Sequence, residues 1–311
     1  MPKIAAIILS YNNCRETLNC VESIQNSSYK EIDIFIIDNH SPDGSFEVLQ
    51  KELLITPHVF LWDTGANLGY AGGMNFGAKQ AGEKGGYDYY LFLNNDTVLE
   101  KDCLSELVRN AGALGYENVY APISYFSKTN IVFCGGMKSY IPGLFQFKYL
   151  GWPFLPRKRP YISPYLSGAC FLVHPRLFER VGGLDEALYL YGEDVLFGEE
   201  ARRLGGRVYM VPTARFWHIG SKAAGYVTIT KAYYLSRNIP HLVKVLSNNN
   251  LIYVLRTYFY LFTKAILALL NLNLQTVRAI FKGLRDYRNG VSGPLDGGRE
   301  ARSEIRNSGS G

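Results

Sequence analysis

The 311-residue sequence predicts an α/β fold: a mostly parallel central sheet with helices on both faces, followed by C-terminal amphipathic helices. Three observations predict it. Short apolar runs alternate with helix-spaced stretches through the first third of the chain, polar residues stand at the ends of three of those runs, and a composition of 47% hydrophobic and 14% aromatic residues supplies a large core.

The elements follow in order. IAAIIL at 4–9 reads as a strand, Thr17 to Ile24 carry helical spacing, and IDIFIID from Ile32 to Asp38 is a second strand, which makes a β-α-β unit. A helix is expected after Pro42, with Asp43 as its cap and Phe46, Val48 and Leu49 as apolar positions. A Gly-rich segment around Tyr70 leads into the strand YYLFLN, which ends at Asn94. Ligands of such sheets sit at the carboxyl ends of strands. There stand Ser10, Tyr11 and Asn12, then Asp38 and Asn39, then Asn94, Asn95 and Asp96.

From Gly115 to Tyr165 the pattern is irregular and rich in Gly, Pro and aromatics, as in an exposed specificity region. A helix is expected from Glu193 to Leu204, ended by Gly205 and Gly206, then the strand RVYMVP. Residues 251–283 are apolar and aromatic, but Arg256, Lys264 and Arg278 interrupt them, so an interfacial helix pair is expected in place of a membrane span. The expected division is a first domain over 1–225, itself divided near 112/113, a helical, membrane-associating region over 226–290, and a flexible tail over 291–311.

Charge sharpens this division. The net charge is only +6, too little for a nucleic-acid binder, but residues 221–311 hold 13 Lys and Arg against 4 Asp and Glu, leaving 20 against 23 before them. The five cysteines are scattered and form no Cys-x-x-Cys, so neither a disulfide framework nor a zinc knuckle is expected, and a reducing compartment fits. The N-terminus runs straight into a strand-like stretch with no secretory pattern. P-loop, Gly-x-Ser-x-Gly and His-Glu-x-x-His motifs are absent.

Each candidate residue has a structural reading beside its functional one. Asp38 can accept hydrogen bonds from a nucleobase or ribose, or serve as a strand-end turn residue. Asp96 is a hard oxygen ligand at a strand end, or, with Thr97, the cap of a helix over Leu99 to Val108. NLGYAGGMNFG, with glycines at 69, 72, 73 and 77, lets a backbone approach a phosphate or sugar, or a helix approach the sheet. Its Gly-x-x-Gly-Gly spacing is not that of a dinucleotide fingerprint. Glu193 and Asp194 open a helix whose dipole is expected to lower their pKa values and keep Asp194 ionised, as a base or as a plain dipole complement. His218 is a metal ligand or a packed histidine.

Taken together, IILSYNN, IIDNHSPDGS, NLGYAGGMN, LFLNNDT, LSGACFLV, GGLDEALYLYGED and VPTARFWHIGS resemble, in order, the motifs of family 2 glycosyltransferases, in particular the bacterial rhamnosyltransferase-like branch. The resemblance covers about residues 3–240 and implies a GT-A fold and inverting transfer from a nucleotide-diphospho-sugar. It implies that Ser10, Tyr11 and Asn12 open the nucleotide pocket, that Asp38 reads the base, and that Asn67, Gly69, Gly72 and Asn75 line the donor. Asn94, Asn95 and Asp96 match the Asp-x-Asp metal motif with Asn in place of the first acid, leaving Asp96 and His218 to hold Mg²⁺ or Mn²⁺. Asp194, next to Glu193, matches the general base, and Gly168 and Ala169 stand against acceptor or sugar.

Leu196 and Glu200 depart from the branch, which often has Asp and Arg there. The implied donor is dTDP-rhamnose, with UDP-galactofuranose, UDP-glucose or a UDP-N-acetylhexosamine as alternatives, and the implied acceptor is a glycan or polyprenyl-linked saccharide. A noncatalytic nucleotide-sugar-binding module is the competing class, and a homodimer is compatible with either. The basic, aromatic C-terminal region is expected to meet an anionic membrane surface at the cytoplasmic face, or to cap the catalytic domain.

Overall fold

The computed structural model describes residues 1–53, 55–126, 131–138, 145–151, 158–219, 228–247 and 250–295, of which 126, 131–138 and 145–151 are described by backbone alone. The first half runs β1 (Ile4–Ser10), α1 (Cys14–Gln25), β2 (Ile32–Asp38), α2 (Ser45–Leu53), β3 (Val59–Asp63), α3 (Gly69–Lys84), β4 (Tyr89–Asn94), β5 (Thr97–Leu99) and α4 (Cys103–Leu114). Next come β6 (Val119–Phe126), β7 (Ile131–Lys138), β8 (Phe145–Gly151), β9 (Tyr161–Ile162), β10 (Cys170–Val173) and α5 (Pro175–Val181). A 3₁₀ turn (Glu186–Leu188), α6 (Glu193–Arg203), β11 (Val208–His218), α7 (Ile229–Leu246), α8 (Leu251–Leu270) and α9 (Leu274–Arg288) complete the chain.

The central sheet has the order β3-β2-β1-β4-β10-β6-β11-β5, with the β7-β8 hairpin beside β6 and β9 beside β11. β3, β2, β1 and β4 are mutually parallel, as are β6 and β11. β10 runs antiparallel to both neighbours. Its reversal brings the segment before Cys170 alongside the carboxyl end of β4, where the Asn94 N–H donates to the Ala169 carbonyl at 3.0 Å. The short β5 pairs antiparallel with the end of β11, placing His218 opposite Thr97.

Alternation along β1 splits the core into two layers. Ile4, Ala6 and Ile8 pack with Val21 of α1, Leu49 of α2 and Leu104 of α4. Ala5 and Ile7 face the other way, toward Met74 of α3, Phe178 of α5 and Phe197 of α6.

Three expectations change. The helix expected over Leu99 to Val108 begins at Cys103, because residues 97–99 are drawn into β11 and the Asp96 carbonyl accepts from the Ile219 N–H; Asp96 and Thr97 therefore cap no helix. The irregular stretch 115–165 contains the sheet strands β6 to β9, while its residues 127–130, 139–144 and 152–157 lie outside the described residues. The strand β3, unassigned in the sequence reading, forms the edge of the parallel set. The expected helix after Pro42 is present, and Asp43 accepts from the Ser45 N–H at 3.0 Å. From residue 296 on, the expected tail lies outside the described residues.

Two glycines of α3 serve helix-to-sheet contact. A Cβ at Gly73 would stand 2.3 Å from a Leu9 methyl, and one at Gly77 would stand 2.4 Å from Ile7 and 2.9 Å from Ile37. Gly77→Ala is therefore expected to overpack the α3 face and cost about 1–3 kcal/mol. Urea unfolding checks this through a lower midpoint at unchanged slope.

Candidate active site

The first two strand ends are tied to each other. The Asp38 carboxylate is fully buried, with one oxygen accepting from the Ser41 N–H at 2.7 Å and the other from the Ser41 hydroxyl at 2.7 Å. Burial, its largest influence, leaves Asp38 above the ordinary Asp range despite those two bonds. Ser41 Oγ in turn accepts from the Asn12 N–H at 2.8 Å, and Asp43 from the Asn13 N–H at 3.0 Å. Asn12 and Asn13 both hold left-handed backbone, so the β1–α1 turn needs this outside support. Ser10 is fully buried against Thr17 at 2.9 Å, and Thr17 also accepts from the Asn95 amide at 3.1 Å. Of this turn, Tyr11 and Asn13 are exposed and Asn12 is part-buried.

Asn39 organises the loop before α3. Its amide nitrogen donates to Asn67 Oδ1 and to the Gly69 carbonyl, both at 3.0 Å, and its oxygen accepts from the Leu68 N–H at 2.9 Å. Gly69 has a positive φ of 71°, and a Cβ there would lie 2.4 Å from the Tyr189 carbonyl; one at Gly72 would lie 2.8 Å from Leu68. Asn75 faces another loop: its amide bonds Leu184 on both sides, at 2.8 and 2.9 Å, and Glu186 at 2.9 Å. With Gly183, Leu196 and Glu200 it lines a cavity of about 440 Å³ that Asp194 does not line.

The third strand end meets residues from far along the chain. His218 Nε2 lies 3.0 Å from Asp96 Oδ1, across 122 residues of sequence, because β5 pairs with β11. Asp194 Oδ2 accepts from the Gly168 N–H at 2.8 Å and from the Tyr165 hydroxyl at 3.4 Å, while Oδ1 accepts from the Val195 N–H at 2.8 Å. The Gly168 carbonyl accepts from the Tyr70 hydroxyl at 2.5 Å. Gly168 and Ala169 thus join Asp194 to the Asn94 strand end, two residues from Asp96. A Cβ at Gly168 would stand 3.0 Å from the Tyr70 hydroxyl and 3.3 Å from Asp194 Cβ, so a larger residue would have to push one of them aside.

The helix dipole does not dominate the acids. Burial raises both Asp194 and its neighbour, pushing Glu193 up to about 8, with the adjacent Asp194 charge adding to that rise. The expected lowering at Asp194 is thus reversed, because removal of water outweighs the hydrogen bonds to its carboxylate. Glu193 is 5% exposed, with Oε2 unpartnered, whereas Asp194 keeps partial exposure. Burial favours the protonated form of both acids, and Asp194 is the member of the pair with partial exposure.

The profile of glycosyl transferase family 2 matches residues 5–182. The chain belongs to that family. It is 28% identical over 225 residues to the N-acetylglucosaminyl-diphospho-decaprenol L-rhamnosyltransferase of Mycobacterium tuberculosis, covering 65% of this chain and 71% of that protein. Among solved structures it resembles Staphylococcus aureus TarS 1–349 in complex with UDP-GlcNAc, with a TM-score of 0.61 at 16% identity over 93% of this chain and 81% of that one. It also resembles GalNAc-T7 with UDP, GalNAc and Mn²⁺, with a TM-score of 0.59 at 16% identity over 76% of this chain, and it spans about half, 48%, of that protein. These likenesses show the fold of this glycosyltransferase, which is GT-A.

GalNAc-T7 was solved with Mn²⁺, and Asp96 and His218 are the residues of this chain that could face such an ion. Asp96 Oδ1 is buried with no hydrogen-bond donor, its near contact being the His218 ring nitrogen. Among the described residues no third His, Cys, Asp or Glu joins them, so this pair would leave most positions around an ion to ligand oxygens and water.

Two departures from the branch acquire a packing reason. Leu196 stands in a small apolar cluster with Leu188 and with Leu242 of α7, where an acid would be buried unpaired. Glu200 pairs with Arg203 at 2.7 Å. Asn39 stands among the expected strand-end residues without a role of its own, and Tyr70 and Tyr165 are not among the residues expected to support the site. Asn39, next to Asp38 at a strand end, carried a usable signal; the two tyrosines act across 98 and 29 residues and carried none.

Proposed function

We propose that this glycosyltransferase inverts configuration while moving L-rhamnose from dTDP-rhamnose onto a glycan or lipid-linked saccharide in cell-surface polysaccharide synthesis. The observation that carries the reading is the convergence of an accessible, dehydrated Asp194 and the Asp96–His218 pair on the two ends of the Gly168–Ala169 bridge. In this reading Asp194 takes the proton of an acceptor hydroxyl as its oxygen bonds to the anomeric carbon and the bond from that carbon to the diphosphate oxygen breaks. The Gly168 N–H and Tyr165 hydroxyl hold the carboxylate, and its raised pKa makes it a stronger base than a solvated Asp. Asp96 and His218 would hold Mg²⁺ or Mn²⁺, which supplies positive charge for the leaving diphosphate.

The donor side is assigned to Ser10, Tyr11, Asn12, Asp38, Asn67, Gly69, Gly72, Asn75, Asn94 and Asn95, with Gly168 and Ala169 toward the acceptor. Ser10 and Asn95 act there by fixing the β1–α1 turn through Thr17. The 28% identity to a rhamnosyltransferase acting on a diphospho-decaprenol acceptor favours rhamnose and a polyprenyl carrier. The test is consumption of dTDP-rhamnose, UDP-galactofuranose, UDP-glucose and UDP-N-acetylglucosamine, read by mass spectrometry with an extracted polyprenyl-linked acceptor. Transfer from dTDP-rhamnose is expected; binding of a donor without turnover of any of the four would make the protein a noncatalytic module.

The same proposal divides the chain into a catalytic domain over 1–225, a membrane-associating region over 226–290 and a tail over 291–311, and puts it at the cytoplasmic face of a membrane. Its support is α8, which has the length and apolar character of a membrane span, with a mean hydropathy of 1.3, yet lies on the surface. Leu251, Leu255, Phe259, Phe262, Ile266 and Leu270 share one exposed stripe, with Phe259 at 69%, while Thr257, Leu261 and Ala265 are buried on the opposite side. Arg256 and Lys264 on α8 and Arg278, Lys282, Arg285 and Arg288 on α9 suit anionic headgroups. Phe259→Ser in the full chain is expected to weaken partition onto phosphatidylglycerol vesicles by about tenfold, from the lost burial of one aromatic ring. Unchanged sedimentation with vesicles would remove the membrane role.

A further inference from the structure

Immediately before the base, the backbone takes a costly path. Tyr189, Tyr191 and Gly192 all have positive φ, at 60°, 68° and 109°, within four residues. Non-glycine residues hold such geometry only where surrounding structure imposes it. The imposing element is α7. The Asn238 amide nitrogen donates to the carbonyls of Leu188 at 2.9 Å, Leu190 at 2.8 Å and Tyr191 at 2.9 Å, while its oxygen accepts from Arg237 Nε at 3.0 Å.

Arg237 donates to the Leu188 carbonyl at 2.8 Å and the Gly293 carbonyl at 2.6 Å, and its guanidinium lies over the rings of Tyr233 and Tyr234. Both side chains are buried, Arg237 at 3% and Asn238 at 2% exposure. A cation buried among carbonyls and rings is expensive for a helix that only covers a surface. Leu242, one turn on, stands where a Cβ on Gly192 would collide at 2.4 Å. The loop is held from its other side too: the Tyr70 N–H donates to the Tyr189 carbonyl at 2.8 Å, and the Tyr70 hydroxyl reaches Gly168.

We infer that Arg237 and Asn238 are positioning residues for Asp194: they hold residues 188–192 in the one conformation that starts α6 with its carboxylate on the Gly168 N–H. This rests on the reading of Asp194 as the base. It also gives the C-terminal helices a part in catalysis besides attachment. Helix α9 bears on the same turn of α7, since a Cβ at Gly283 would lie 2.4 Å from the Tyr233 carbonyl and 3.0 Å from Arg237 N, and Asp286 accepts from the Tyr233 hydroxyl at 2.9 Å.

The test compares wild type with Asn238→Asp, which keeps the shape and removes the donors, and with Arg237→Lys, which keeps the charge and removes the fork. Hydrogen exchange by mass spectrometry is expected to speed up by about tenfold or more across residues 188–196 in Asn238→Asp, with β1 to β4 unchanged, and to rise less in Arg237→Lys. With dTDP-rhamnose as probe, kcat of Asn238→Asp is expected to fall by roughly 10- to 100-fold while donor KM stays within about twofold. Unchanged exchange over 188–196 overturns the clamp whatever the activity. Faster exchange there with an unchanged kcat overturns the positioning role. If Asn238→Asp loosens β1 to β4 as well, Arg237→Lys decides by the same two readouts. Wild type that transfers none of the four sugars sinks the transferase reading instead, and the exchange result still decides the clamp.

Discussion

Asp194→Asn should lower turnover by about a thousandfold while leaving donor affinity nearly intact, the loss typical of removing a positioned general base. The substitution is close to isosteric, and an Asn oxygen can keep the 2.8 Å bond from the Gly168 N–H, so architecture is preserved and proton acceptance is not. Single-turnover rates with the sugar nucleotide that wild type consumes, beside calorimetric titration of the same nucleotide, separate the two quantities. Equal loss of binding and turnover would mean that Asp194 holds the donor instead. The neighbouring acid adds a pH signature. Glu193, with its pKa pushed up to about 8, keeps its proton in the folded protein across a range where an unfolded chain has lost it. Its contribution to stability is fully present below the ordinary Glu pKa and is lost as pH rises toward 8. Glu193→Gln should therefore flatten the fall of Tm with pH between about 5 and 8.

Asp96→Asn should remove most Mn²⁺ binding measured in the presence of the nucleoside diphosphate, with a loss of about 10-fold or more, and His218→Ala should approach the same loss. The argument is the size of the protein's share. With two side chains placed to face an ion, each would be a large part of what the chain contributes, and among the described residues no third His, Cys, Asp or Glu completes a metal-holding group with them. Paramagnetic resonance of free Mn²⁺ gives affinity without any catalytic assay, and the double variant should be little worse than Asp96→Asn alone. Wild-type affinity in both single variants would show that the contact at 3.0 Å is an ordinary ion pair joining β5 to β11.

The fold was legible wherever one stretch of chain contained the whole signal. IAAIILS, IDIFIID and YYLFLN are continuous apolar runs because both faces of β1, β2 and β4 are covered, and each ends in the polar residues that mark the site. The start of α4 was illegible for the opposite reason. Asp96 and Thr97 look like a cap until β11, more than a hundred residues away, pairs with Thr97 and the Ile219 N–H donates to the Asp96 carbonyl. The direction of the Asp194 shift was misjudged, since a helix start can be read from sequence and the depth at which it is buried cannot. Arg237 and Asn238 looked like ordinary polar positions in an aromatic helix, and only the left-handed backbone at Tyr189 and Tyr191 gives them a task.

That task also sets an order of events during synthesis. The strands β1, β2 and β4, the glycine helix α3 and Asp194 itself are all made before the ribosome reaches Asn238, whose donors must travel back across 47 to 50 residues to reach the carbonyls they satisfy. Until then the turn has the Tyr70 N–H on the Tyr189 carbonyl, while the carbonyls of Leu188, Leu190 and Tyr191 still lack the Asn238 donors. If Asp194 is the base, a growing chain carries it well before it can aim it, and the site is completed by the same helices that would bring the chain to lipid.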